Sequence, residues 1–144
     1  MSIPEMSSLS ILIIDDEPFI RKLIGRMLYE QGVTHLIEAE DGFEGIVKVR
    51  QARKGFDLII CDLEMPNMNG FDFVRQLRAD KNISNPGVPV LILTGHSDED
   101  SVQESVKLGI HGFLTKPVSK TNLEKRILSA LNSPPIDPRI LEGQ

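Results

Sequence analysis

Residues 9–28 read LSILIIDDEPFIRKLIGRML. Four apolar residues, Ile11 to Ile14, run straight into Asp15, Asp16 and Glu17. An unbroken apolar run of strand length suits a strand covered on both faces, as in a parallel sheet. Beyond the acids, Phe19, Ile20, Leu23, Ile24, Met27 and Leu28 recur at spacings of three and four. That stripe predicts a helix over residues 17–31 with one wide apolar face. Asp16 stands where a cap belongs, Pro18 suits the first turn, and Gly32 suits the exit. The stretch is therefore one β-α unit, with an acidic turn at the carboxyl end of its strand.

The same alternation continues along the chain. Strand-length apolar runs follow at HLIEA (35–39), DLIIC (57–61), PVLIL (89–93) and HGFL (111–114). Asp41 is placed to cap a second helix over Phe43, Ile46 and Val47. A third covers about 70–79 with Phe73, Val74 and Leu77. Ser97 is placed to cap a fourth, with Asp98, Glu99 and Asp100 in its first turn, where the helix dipole favours anions. Val102 and Val106 face inward there, and Gly109 ends it. A fifth follows Ser119, with Leu123, Ile127 and Leu131 on one face. Five β-α units imply an α/β fold: a parallel sheet with right-handed crossovers and helices on both faces.

The bulk numbers narrow the class. The chain has 144 residues, enough for one domain with a proper core. Its net charge of −5 offers no basic face, so direct nucleic-acid binding is not expected. A single cysteine excludes an internal disulfide and a Cys-rich zinc site. The N-terminus has neither the basic start of a signal peptide nor an apolar run long enough for a membrane span. A cytoplasmic protein with no membrane association is expected. Residues 1–8 read as an N-terminal extension and 9–131 as the domain. NSPPIDPRILEGQ (132–144) reads as a tail or the start of a linker.

In such sheets ligands bind beyond the carboxyl ends of the strands. After the first strand stand Asp15 and Asp16. Asp62 follows the third, Thr94 the fourth, and Lys116 with Pro117 the fifth. Singly these are a cap, a turn former, a loop hydroxyl and a surface lysine. Together they bring three carboxylates, a hydroxyl and an ammonium to one cleft. Glu40 and Asp41, after the second strand, read as surface and cap.

Crowded carboxylates repel. At about 4 Å and an effective dielectric near 20, each pair costs on the order of 4 kcal/mol. Either a carboxyl takes up a proton or a cation binds. Oxygen ligands alone favour a hard ion, and a shallow site that leaves waters in place suits Mg2+. A carboxylate beside Mg2+, an ammonium and a hydroxyl is equipped for phosphoryl transfer. Asp15 and Asp16 share one turn, as metal ligands would. Asp62 stands alone on the central strand, as the phosphate acceptor would.

These residues closely resemble the receiver domain of two-component response regulators, the CheY-like family, over about residues 9–131. The resemblance rests on the acid pair, DLEMPNMNG (62–70), LTGHS (93–97) and KPVSKTNL (116–123). It implies a doubly wound (βα)5 flavodoxin-like sandwich, with a parallel five-stranded sheet in the order 2-1-3-4-5. It implies that Asp62 accepts a phosphoryl group from a sensor histidine kinase or histidine phosphotransferase. Asp15, Asp16, Asp62 and the backbone carbonyl of Glu64 would hold Mg2+. Thr94 would bond the phosphoryl oxygen and shift with it. Lys116 would pair with the phosphoryl group, and its bond to Pro117 would be cis. Phe113 falls at the family's switch aromatic; lacking a hydroxyl, it would couple to Thr94 through packing alone.

Glu64 and His96 occupy positions that tune phosphate loss in the family, and His96 reads as a loop residue. Cys61 should point away from Asp62 into the core, because strand side chains alternate. The implied output is a switch of the face built by the fourth helix, fifth strand and fifth helix. That face would bind a downstream protein effector or an output domain beyond this chain. Such a receiver is not an enzyme in its own right and catalyses only its own phosphorylation and dephosphorylation. One rival is a Mg2+-dependent phosphohydrolase of the haloacid dehalogenase type, which also passes through an aspartyl phosphate. It would need an Asp-x-Asp nucleophile after the first strand, and DDEP lacks that spacing. Another is a receiver-like module that never accepts phosphate, whose usual sign is loss of the acceptor or the acid pair. A nucleotide switch would need a G-x-x-x-x-G-K-[ST] loop, which is absent.

Overall fold

A computed structural model describes residues 5–95, 103 and 106–134. Five strands carry the predicted apolar runs: β1 (Ser10–Ile14), β2 (His35–Ala39), β3 (Leu58–Asp62), β4 (Val90–Thr94) and β5 (Gly112–Thr115). The last three sit one residue later than expected. Asp57, just before β3, bonds Ser10 twice: its carboxylate accepts from the Ser10 N–H and its own N–H donates to the Ser10 carbonyl, each at 2.8 Å. The strands pair in parallel in the order β2-β1-β3-β4-β5, as the resemblance implied.

Four helices are described in full: α1 (Pro18–Glu30), α2 (Gly42–Gln51), α3 (Gly70–Ala79) and α4 (Lys120–Asn132). The helix predicted after Ser97 lies mostly outside the described residues, as do His96, Ser97 with its expected cap, Asp98, Glu99, Asp100 and Val102. Gln103, Val106 and Lys107 are helical, Val106 is buried, and Gly109 follows with φ +79°.

Alternation along the strands divides the core in two. Leu12, Ile14, Ile59, Cys61 and Ile92 face one way, against Ile46 and Val49 of α2 and Phe73, Val74 and Leu77 of α3. Ile11, Ile13, Leu58, Ile60, Leu91 and Leu93 face the other, against Ile24 and Leu28 of α1 and Leu123 and Ile127 of α4. All five residues of β3 and β4 are buried. Both faces are covered, so these strands can be apolar throughout.

Four local expectations need correction. Phe19 is 75% exposed, and Phe43 and Val47 are 55% and 46% exposed, so they lie off the buried faces of α1 and α2. The inner face of α2 is instead Gly42, Gly45, Ile46 and Val49. Asp16 does not cap α1. The cap position belongs to Glu17, whose side chain makes no capping bond. Proline at the start of α1 has no N–H to satisfy, so the need for a cap is smaller there. Two caps are as expected: Asp41 accepts from Glu44 N–H, and Ser119 from Asn122 N–H.

Candidate functional site

The crevice follows from register. Ile14 pairs with Cys61, so the next residues, Asp15 and Asp62, leave adjacent strands at one level. From there the connection after β1 runs outward to β2, while that after β3 runs the other way to β4. Such a divergence opens a cleft at the carboxyl ends of the two strands. Thr94 closes β4 beside Thr115 on β5, and Lys116 comes next, its N–H donating to the Thr94 carbonyl at 2.9 Å. The Lys116–Pro117 peptide bond is cis.

Asp15, Asp62 and Thr94 are the buried polar residues among those described. Asp16 is exposed at the rim. One carboxylate oxygen from each of Asp15, Asp16 and Asp62 lies within 4.8 Å of the other two. Lys116 Nζ reaches in to 3.2 Å from Asp62 Oδ1 and 3.4 Å from Asp15 Oδ2. Asp15, Asp16, Asp62 and Lys116 therefore converge on one cleft, and Thr94 ends the neighbouring strand at the same edge of the sheet. Glu64 is exposed two residues beyond Asp62. Phe113 is half-buried on β5, opposite Ile92 in register and packed on the core beneath α2 and α3.

The electrostatics are those of crowded, poorly solvated acids. Burial raises the Asp62 carboxyl to about 6, Asp15's charge adds to the rise, and Lys116 opposes it. Burial also raises Asp15, against the Glu17 N–H bond and Lys116. Burial works against the Lys116 ammonium, but Asp62 and Asp15 together hold its pKa above the usual lysine value. Burial, then the neighbouring acids, push the Cys61 thiol well up, which suits an inert core residue.

Asp15 Oδ1 accepts from Glu17 N–H at 2.8 Å. Its other oxygen, Oδ2, is buried and finds its nearest partner in the Lys116 ammonium, an ion pair at 3.4 Å with no well-formed hydrogen bond among the described residues. A carboxylate oxygen short of a hydrogen bond, beside two more carboxylates, fits a hard cation.

Sequence reasoning missed Arg21. Its guanidinium donates to the Asp15 backbone carbonyl through Nη1 and pairs with Glu38 through Nε at 3.1 Å. Nothing local signals this, because Glu38 lies 17 residues away on another strand. Arg78 was missed likewise. It donates to the carbonyls of Pro86, Val88 and Gly109, fastening the end of α3 to the approaches of β4 and β5. No helix among the described residues is long and apolar enough to cross a membrane.

Comparison with known proteins agrees with the fold. The chain is 32% identical over 119 residues to chemotaxis protein CheY of Pseudomonas aeruginosa, covering 83% of this chain and 93% of that one. Its fold superposes on chemotaxis protein CheY4 of Vibrio cholerae with a TM-score of 0.77 at 33% identity, over 85% of this chain and 98% of that one. A response regulator receiver domain protein of Clostridium thermocellum gives a TM-score of 0.76 at 32% identity, over 86% and 94%. Residues 11–128 match the family described as the response regulator receiver domain. The chain belongs to the receiver domain family of two-component response regulators, with its flavodoxin-like, CheY-like fold.

Proposed function

We propose that residues 9–131 form a phosphoacceptor receiver of a two-component phosphorelay. Asp62 takes a phosphoryl group from a phosphohistidine on a sensor histidine kinase or histidine phosphotransferase. The observation that carries this reading is the convergence of three carboxylates with Lys116 Nζ, 3.2 Å from Asp62. Asp15, Asp16, Asp62 and the Glu64 carbonyl would hold Mg2+, which when bound neutralises oxygens of the transferring group.

The remaining work falls to the chain's own residues. With its carboxyl near 6, Asp62 is mostly ionised at neutral pH and can attack. Its oxygen forms the new P–O bond as the donor's P–N bond breaks, and the leaving imidazole keeps the electron pair and takes up a proton. Lys116 turns its ammonium from the carboxylates to the phosphoryl oxygens. Thr94 offers its hydroxyl from the end of β4. A product carrying about −2 charge then favours whichever arrangement of Thr94 and Lys116 binds it better. Phe113 sits one strand from Thr94, so repacking of that ring carries the change to the surface. That surface is the face of the helix preceding Gly109, β5 and α4, where an effector or output domain would dock.

Intact mass after incubation with Mg2+ and a small acyl phosphate tests the reading. One phosphoryl adduct is expected on the wild type and none on Asp62→Asn. Equal adduct on the variant would overturn the assignment of Asp62.

A further inference from the structure

The turn that carries Asp15 and Asp16 is held at few points. The Asp15 N–H donates to the Ala39 carbonyl at 3.2 Å, and the Glu17 N–H donates to Asp15 Oδ1. Glu17 makes no side-chain cap, and α1 meets the turn through its main chain where Arg21 N–H donates to the Glu17 carbonyl at 3.2 Å. Beside the Lys116 ion pair on Asp15 Oδ2, a further hold is Arg21. Its side chain is only 14% exposed, and it spans two acceptors at once: the Asp15 carbonyl and Glu38 on β2. Glu38 is fixed in turn by Lys22 Nζ at 2.9 Å and by the register of β2, where it pairs with Ile13.

From this geometry we infer that Arg21 is a positioning residue for the cation site. It holds the Asp15 main chain against β2, so that both acids of the turn point into the cleft. The inference rests on the proposed function and names a residue that acts on that site without touching the ligand. The action is geometric. Arg21 meets Asp15 at its main-chain carbonyl, not at its carboxylate, and shares Glu38 with Lys22. A planar guanidinium can serve a carbonyl and a carboxylate together, whereas an ammonium keeps the charge without the fork. Groups that orient metal ligands are typically worth about 10- to 100-fold in metal affinity.

The test is calorimetric titration of the metal-free chain with MgCl2, alongside thermal unfolding in EDTA, for the wild type, Arg21→Ala and Arg21→Lys. Both variants should bind Mg2+ about tenfold or more weakly than the wild type. If Arg21→Ala does not fold, Arg21→Lys carries the comparison. Wild-type affinity in the variants, with or without a lower unfolding temperature, would make Arg21 only a tie between α1 and β2 and overturn the inference. Wild-type affinity in Arg21→Lys alone would make charge the agent and overturn the geometric role. A wild-type chain that binds no Mg2+ would overturn the proposed function, and the inference with it. Mg2+ binding that survives in the Arg21 variants leaves that function standing.

Discussion

The turn after β1 and the turn after β3 each release a buried aspartate at the same level of the sheet, yet they hold it by different means. Asp15 is tethered by hydrogen bonds: Glu17 N–H on its side chain, Arg21 on its carbonyl, Ala39 on its amide. Asp62 is tethered by hydrogen bonds too, Glu64 N–H on its side chain among them, and by packing in addition. The turn behind it folds back so that Gly70 N–H donates to the Leu63 carbonyl, and Leu63 N–H donates to Leu93 on β4. Met65 and Met68 are buried beneath it. The contrast suits the proposed roles. A cation ligand tolerates small adjustments about the ion, while an attacking oxygen must stand in line with its target.

The largest expected effect probes that packing. A Cβ at Gly70 would lie 2.7 Å from the Asp62 carbonyl oxygen and 3.0 Å from Leu63 Cα, both main-chain atoms. Gly70→Ala should therefore cost about 3 kcal/mol in urea unfolding, the upper end for overpacking, and should slow labelling of Asp62. Gly42 is the control. Its Cβ would come as close, 2.8 Å, but to the Met68 side chain, which can move. Gly42→Ala should cost under about 1 kcal/mol. Equal costs would mean that the β3 turn is no more rigid than its surroundings.

A smaller effect separates the two acids by titration. The Asp62 carboxyl stands at about 6 in the folded chain against an ordinary 3.8, so the native state holds its proton more tightly than the unfolded chain does. The resulting stabilisation is present at low pH and is lost as pH rises through about 6. Between about pH 4 and 7.5 the metal-free chain should lose on the order of 2 kcal/mol. Asp15 is raised for the same reason and adds in the same direction. Glu38 and Asp80 are lowered, so their contributions are lost only at more acidic pH. Denaturation midpoints across this range in EDTA should slope downward. Asp62→Asn should flatten the slope, and millimolar Mg2+ should reverse it at neutral pH. A flat wild-type profile would mean that the acids are not in conflict.

How much of this was legible in the sequence depends on where each signal lives. Ile11 to Ile14, residues 57–61 and residues 89–93 announce covered strands because both faces of β1, β3 and β4 are buried, and composition records burial directly. Asp15, Asp62, Thr94 and Lys116 were legible as a set because a parallel β-α fold sends every strand end to one edge. Phe19, Phe43 and Val47 were misread because spacing identifies a helical face without saying how wide a strip the sheet covers. Asp16 was misread as a cap because nothing in the sequence distinguishes it from Asp15, whose carboxylate bonds the Glu17 amide instead. Arg21, Glu38 and Arg78 act through tertiary hydrogen bonds to main-chain carbonyls or distant strands, and no spacing rule encodes those.

The smallest expected effect sets the two helix starts against each other. At α3 the Asn69 side chain accepts from Asp72 N–H at 2.9 Å, satisfying one of the first-turn amides. At α1 the Glu17 side chain makes no such bond. Asn69→Ala should therefore cost about 1 kcal/mol, the usual worth of a cap, and Glu17→Ala a few tenths at most. Urea unfolding at neutral pH resolves that difference. A substantial loss in Glu17→Ala would mean that its exposed side chain anchors the acidic turn, a task otherwise left to Asp15 and Arg21. A negligible loss in Asn69→Ala would mean that packing around Gly70 starts α3 without help, which would sharpen the difference between a turn held by hydrogen bonds and a turn held by hydrogen bonds and close contact together.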